Sequence, residues 1–202
     1  MFDSGVTVKA LIDGIKAETD IAYPIPDESY VFWLSALEQL LYREVIKEQK
    51  EAEFSPDEEP IEALNKNKSG DEGAIRFEDI HAVYVKESDT QTRQLIKSTV
   101  TSGEIFPDTF YKNGNQMGLN ISGEYENLRV IYFVKPKIKK ALVDGYVMLP
   151  FEFLELARAK LRGEAYKIAN EDDLAAKWLN EYNVLLETFR AWVEEKNAKF
   201  GM

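Results

Sequence analysis

The sequence predicts an α+β protein. It reads as a mainly α-helical bundle of about four helices, ending in a C-terminal antiparallel hairpin, with a small antiparallel β-domain inserted in the middle. Three observations carry this. Apolar residues recur at spacings of three and four in residues 7–51 and again in 150–192. Between 74 and 135 the period drops to two. An acidic, proline-containing stretch separates the first helical region from the β region. The plan places the bundle in residues 1–50 and 141–202, an acidic linker or loop in 51–73 and the β-rich insertion in 74–140.

The first helix is expected over Thr7 to Glu18, where Val8, Leu11, Ile12 and Ile15 share a face. Tyr23-Pro24-Ile25-Pro26 stops it, because each proline fixes φ and pushes its predecessor towards extended backbone. The second helix is expected from about Ser29 to Glu51, with Asp27 as N-cap and Glu28 near the positive helix end. Its stripe of Tyr30, Trp33, Leu34, Leu37, Leu41 and Val45 is too wide for a solitary surface helix, so it packs against other helices. Residues 51–72 then hold eight acidic residues and two lysines, a net of −6, with Phe54, Ile61 and Leu64 as the only large apolar residues. That composition reads as solvated and flexible.

In the β region, Ile80, Ala82 and Tyr84 alternate with His81, Val83 and Val85. Met117, Leu119 and Ile121 form a second run, and Leu128, Val130, Tyr132 and Val134 a third. Gly103, Asn113-Gly114-Asn115 and Ser122-Gly123 supply turns, and Gln94 to Val100 and Phe106 to Tyr111 are weaker strands. Helix returns with Pro150 in a first turn, followed by Phe153, Leu154, Ala157, Leu161, Ala165 and Ile168. Asn170 is the expected cap of the last helix, with Glu171, Asp172 and Asp173 in its first turn. Ala175, Trp178, Tyr182, Leu185, Phe189 and Trp192 follow at spacings of 3, 4, 3, 4 and 3, a coiled-coil-like seam. Trp33, Leu37, Trp178, Tyr182, Leu185, Phe189 and Trp192 are therefore the expected bundle core.

Composition excludes several functions. The 202 residues carry 25 Lys and Arg against 36 Asp and Glu, a net charge of −11. A chain this acidic is a poor ligand for a phosphate backbone. With no cysteine there is no thiolate metal site or cysteine nucleophile, and one histidine cannot build a multi-histidine metal site. No run approaches the ~18 apolar residues of a membrane span, and no basic-then-apolar start marks a secretory signal. No metal or cofactor is expected.

His81 lies beside Glu78 and Asp79, the combination a general base or small hydrolase would use, but nothing near it supplies a nucleophile. An outer-face strand residue is the favoured reading. The pairs Glu152/Glu155 and Asp172/Asp173 fall in first helical turns, where negative charge offsets the helix dipole. Asp57, Glu58 and Glu59 lack the spacing of a calcium loop and read as solvated charge. Lys135-Pro136-Lys137-Ile138-Lys139-Lys140 is the one basic patch, expected as an exposed junction out of the β region.

Leu149-Pro150-Phe151-Glu152-Phe153-Leu154-Glu155-Leu156, Arg162-Gly163-Glu164-Ala165-Tyr166-Lys167, Asn170-Glu171-Asp172-Asp173 and Ala175-Ala176-Lys177-Trp178-Leu179-Asn180-Glu181-Tyr182 together resemble a known pattern. They are similar to the C-terminal helical hairpin of tailed-bacteriophage head-to-tail adaptor (connector, head-completion) proteins. The resemblance covers about a third of the chain and carries over no catalytic residue. It implies a structural virion protein at the head–tail neck, assembled in the bacterial cytoplasm. Such a protein forms a ring, usually a dodecamer, between a portal protein and tail or nozzle proteins. DNA passes through the lumen without specific binding, which suits an acidic wall. The Asp57-Glu58-Glu59 loop is then a candidate channel or rim element. The chain end, with Lys196, Lys199, Phe200 and Met202, is the candidate portal-binding device. Alternative readings are a tail-completion or neck protein, an acidic regulatory binding module, or a small hydrolase using His81.

Overall fold

A computed structural model describes residues 2–22, 24–68, 70–88, 91–99 and 106–200, the side chains of Lys199 and Phe200 excepted. The fold is α+β with a helical C-terminal part. The chain divides into a unit formed by Met1–Ile46 with Ile138–Met202 and a unit formed by Lys47–Lys137.

In the first unit, helix α1 (Val8–Glu18) starts where Thr7 Oγ1 accepts the Ala10 amide at 3.1 Å, and it buries Val8, Leu11, Ile12 and Ile15. Its start is pinned to the returning chain. Ser4 N donates to Val147 O, Val147 N to Val6 O and Val8 N to Gly145 O. Helix α2 (Asp27–Leu41) begins with Pro26, not Asp27, in the N-cap position. Asp27 instead takes up an ion pair with Lys16 of α1. The helix also ends sooner than the periodicity implied. Its ladder widens into a π turn over Tyr42–Ile46, and Lys47 closes it with φ of +50°. Tyr42 is wholly buried there, and its hydroxyl accepts the Phe2 amide at 2.7 Å.

The hairpin is antiparallel. Pro150 precedes a short 3-10 turn, Phe151–Phe153, rather than sitting inside the helix, and α4 runs over Leu154–Ile168. Helix α5 spans Asp172–Phe200. Phe153 at the start of α4 meets Phe189 and Trp192 far along α5, with centroids at 4.8 and 5.2 Å. Arg162 in the second half of α4 meets Trp178 near the start of α5. Asn170 does not cap α5. It ends α4 with φ of +59°, while its amide donates to Lys167 O and the Glu171 amide to Tyr166 O. That left-handed residue with two back-reaching bonds is a Schellman stop, which asparagine tolerates better than most residues.

The second unit holds strands β1 (Gln49–Phe54), β2 (Ile80–Ser88), β3 (Gln91–Gln94), β4 (Ile96–Lys97), β5 (Thr109–Asn113), β6 (Gln116–Asn120) and β7 (Asn127–Phe133). One sheet has the order β1-β7-β2-β3, all antiparallel, and the other the order β4-β5-β6. The pairing of β4 with β5 is parallel, a departure from the all-antiparallel expectation. The stretch expected as a linker is folded: it supplies β1 and helix α3 (Pro60–Asn67). Its three large apolar residues, Phe54, Ile61 and Leu64, are all buried, and that is enough to seat it. Asn65 completes the attachment by donating to Ile61 O and Ile75 O and accepting from the Ile75 amide, each at 2.9 Å. In β2 the register slips between Ile80 and Ala82, leaving His81 as the bulge residue. Beyond that bulge the buried face passes from Ile80 to Val83 and Val85, and Tyr84 turns outward.

The close crossing of α4 and α5 rests on Gly163. A Cβ there would lie 2.7 Å from Leu179 Cδ2 and 3.3 Å from its backbone nitrogen. Gly163→Ala gains about 1 kcal/mol of helix propensity. Overpacking costs about 1–3 kcal/mol, so a net loss is expected in urea unfolding. A stabilised variant would show that the seam has slack.

Candidate functional site

The surface that the family resemblance singles out is the α4–α5 hairpin. Its organising contact is Trp178, whose ring lies 4.5 Å from the Arg162 guanidinium, with Lys177 at 5.4 Å. Arg162 is almost wholly buried, and its charge is met by Glu18 at the end of α1. Arg158 reaches the same carboxylate at 3.2 Å and Glu155 at 3.2 Å. One glutamate therefore ties α1 to two consecutive turns of α4. Beside Trp178 an open groove of about 440 Å³ runs between the helices, lined by Glu155, Ala159, Lys177, Trp178, Glu181 and Leu185.

That groove corrects the expected core. Leu37, Tyr182 and Phe189 are buried, but Trp33, Trp178, Leu185 and Trp192 are only partly so. For α5 the reason is geometric: the helix packs on one side, and Trp178, Leu185 and Trp192 sit at the flanks of its buried stripe of Ala175, Tyr182, Phe189 and Val193. Trp192 is covered by Phe2, Phe153 and Phe189, and Trp33 lies edge-on to Tyr30 at 5.2 Å.

The basic patch is not an exposed junction throughout. Lys135 pairs with Asp79 within the β unit. Lys139 is buried in the helical unit, where Nζ donates to Glu38 Oε2 and the backbone amide to Ser35 Oγ at 3.1 Å. The other oxygen of Glu38 accepts the Met148 amide at 2.8 Å. Lys139 belongs to the patch expected as exposed, and its burial corrects that expectation, while Glu38 is the partner that the sequence reading leaves out. The available signal was a glutamate inside the apolar face of α2, four residues after Leu34 and three before Leu41.

The acidic trio is partly used internally. Asp57 is exposed, and Glu58 accepts from the Ser55 amide and hydroxyl. Glu59 caps α3 by accepting the Glu62 amide at 2.6 Å, and its second oxygen accepts the Met117 amide of β6 at 2.8 Å. The expectation of freely solvated charge therefore fails for Glu59, because a helix N-terminus needs an acceptor. His81 is exposed and lies against Phe133, with ring centroids 5.1 Å apart. Its neighbours Glu78 and Asp79 pair with Lys112 and Lys135. Glu152, Asp172 and Asp173 are exposed in their helical turns. At the chain end Lys196 lies 4.3 Å over Trp192, while the Lys199 and Phe200 side chains and Met202 fall outside the described residues. Among the described residues no group of three or more carboxylate or imidazole side chains is placed to hold a metal ion. No helix among them is long and apolar enough to cross a membrane.

The sequence matches no protein-family model, and comparison with curated proteins finds no match.

Two measurements probe this geometry. Phe189→Ala, at a fully buried site, is expected to cost about 3–5 kcal/mol, and Trp178→Ala less than about 3 kcal/mol because the ring keeps a solvated edge. Equal losses in thermal unfolding would mean that the groove is closed in solution. Lys139→Ala strands a buried carboxylate and is expected to cost about 3–5 kcal/mol. The pair Glu38→Gln with Lys139→Met keeps an acceptor for Met148 and should recover most of that. Burial pushes the Glu38 carboxyl up, against the pull of Lys139 and the Met148 amide. A carboxyl raised on folding stabilises at low pH, and that contribution is lost as pH rises through the folded value. The stability deficit of Glu38→Gln alone should therefore shrink as pH rises from the ordinary carboxylate range of about 4 through the raised folded value. A deficit growing with pH would show that pairing outweighs burial.

Proposed function

We propose that this chain is a structural virion protein that forms a ring between portal and tail, completing the head and lining the DNA channel. The observation that carries the reading is the hairpin. The residues that bear the family resemblance are those that build its seam: Gly163 admits Leu179, Arg162 stacks on Trp178, and Asn170 turns the chain. Helix α5 has 29 residues against 15 in α4, so it reaches about 43 Å against about 22 Å at about 1.5 Å per residue. A helix that outruns its partner offers its far end, beyond Trp192, to something other than α4, and that end carries the candidate portal-binding residues Lys196, Lys199, Phe200 and Met202 of this reading.

The charge supports the same reading. A net −11 on every copy keeps duplex DNA from adhering to the wall of a lumen. Ring copies meet through heterologous contacts, which close when the rotation between neighbours divides a full turn. In this reading the partners are the portal, further copies of the chain in a dodecamer, and tail or nozzle proteins, and the site of action is the virion neck.

The test is association with portal rings from the same virion. The chain alone should sediment as a monomer, and rings should appear by electron microscopy only on the portal, where local concentration is high. Removing residues 197–202 should leave the melting temperature nearly unchanged and sharply weaken portal binding. A stable large ring at micromolar concentration without portal, or full binding by the truncated chain, would overturn the assembly route or the anchor respectively. Absence of any portal association by the intact chain would overturn the function.

A further inference from the structure

Among the described residues, strand β1 is the outer strand of the four-stranded sheet, paired with β7 on one side only. The register shows which backbone groups it leaves open. The Val134 amide donates to Glu48 O at 2.9 Å, so Glu48 and Val134 form a hydrogen-bonded pair. Antiparallel pairs alternate between bonded and non-bonded. Lys50, Ala52 and Phe54 therefore turn their N–H and C=O groups inward to Tyr132, Val130 and Leu128. Gln49, Glu51 and Glu53 turn theirs outward, and all three residues are exposed. Their side chains share one sheet face, on which Glu53 is the cross-strand partner of Arg129 and Glu51 lies 3.7 Å from it. On the opposite face Lys50 pairs with Glu72, Ala52 is half-buried and Phe54 is buried.

We propose that this edge is a docking site for an extended, basic segment of a partner protein, which adds a strand outside β1. The occupant is set by charge. Two copies of β1 meeting edge to edge would bring the Glu51 and Glu53 carboxylates of one copy against those of the other, and like charges directly opposite destabilise a sheet. A strand with Lys or Arg at alternate positions sets those charges across from Glu51 and Glu53. That extends the cross-strand row that starts at Arg129. Its intervening residues face the Ala52 side, where small or apolar side chains fit. Main-chain bonds to the open groups of Gln49, Glu51 and Glu53 supply affinity, and the carboxylates supply selection. This surface is independent of the ring reading and belongs to the other unit of the chain.

The test uses the full chain and a peptide of alternating lysine and valine matched to β1 in length, with an alternating glutamate and valine peptide as control. Binding is followed by NMR and by amide exchange. The expected result is saturable binding of the basic peptide alone, weakened by salt, with slowed exchange at the amides of Gln49, Glu51 and Glu53. Glu51→Pro removes one outward N–H without touching the β7 ladder, and an edge strand tolerates proline there. It should weaken binding about tenfold while the β7 amide shifts stay in place. Should Glu51→Pro disturb the sheet, Glu51→Gln with Glu53→Gln leaves the backbone intact and should weaken binding roughly threefold per carboxylate, with a shallower salt dependence. Equal binding of both peptides, protection elsewhere than β1, or self-association that Glu51→Pro relieves would each overturn the proposal.

Discussion

The helical unit depends on the buried pair of Glu38 and Lys139. Its chain is discontinuous: it leaves after Ile46 and returns at Ile138, so α2 and the returning segment are joined only through space. The pair spans a sequence separation of 101 residues, and both side chains are buried. Desolvating two charges is costly, and the cost is met only when every oxygen finds a partner. Here each Glu38 oxygen accepts one bond, from Lys139 and from the Met148 amide, while Ser35 takes the Lys139 backbone amide. An apolar contact at this place would hold the segment without setting its register. The ion pair sets it, and the ladder between residues 4–8 and 145–147 follows from that placement.

Once the returning chain is seated, the hairpin can close. The Schellman stop at Asn170 reverses the direction, and Gly163 allows the helices to approach until Leu179 touches the α4 backbone. Arg162 fills the flank of that contact, its guanidinium paired with Glu18 from α1 and lying over the face of Trp178. Three helices are thus tied by a charge network around an aromatic ring rather than by apolar packing alone. The remaining solvated edge of Trp178 and the adjacent groove follow from α5 being packed on one side.

The β unit shows how acidic residues are put to use. Glu59 accepts the Glu62 amide at the start of α3 and tethers β6, Glu72 pairs with Lys50, and Asp79 with Lys135. Charge density made the segment from 51 to 73 look solvated. Its fold is set by Phe54, Ile61 and Leu64, three residues too few to produce a period. Strand β1 was illegible for a related reason: an edge strand shows one face and one rim to water, so its residues alternate between polar and slightly less polar. His81 at the bulge illustrates the same limit, because a strict alternation cannot announce where a register slips.

The sequence by itself determined the α+β class, the extent of α1, the hairpin, the strands β2, β6 and β7, and the absence of cysteine and clustered histidine chemistry. Those are local properties: helical and strand periods, prolines, and the presence or absence of residue types act within a few positions along the chain. The tertiary structure alone decided that Lys139 is buried, that Glu59 is a cap, that Asn170 ends one helix instead of beginning the next, and that the tryptophans are flanking rather than central. The burial of Lys139 and the second bond of Glu59, to Met117, turn on groups that meet across 101 and 58 residues, while the Asn170 stop is made by local bonds that the residue type alone does not distinguish from an N-cap. A charged residue reads as surface until a partner far along the chain satisfies it.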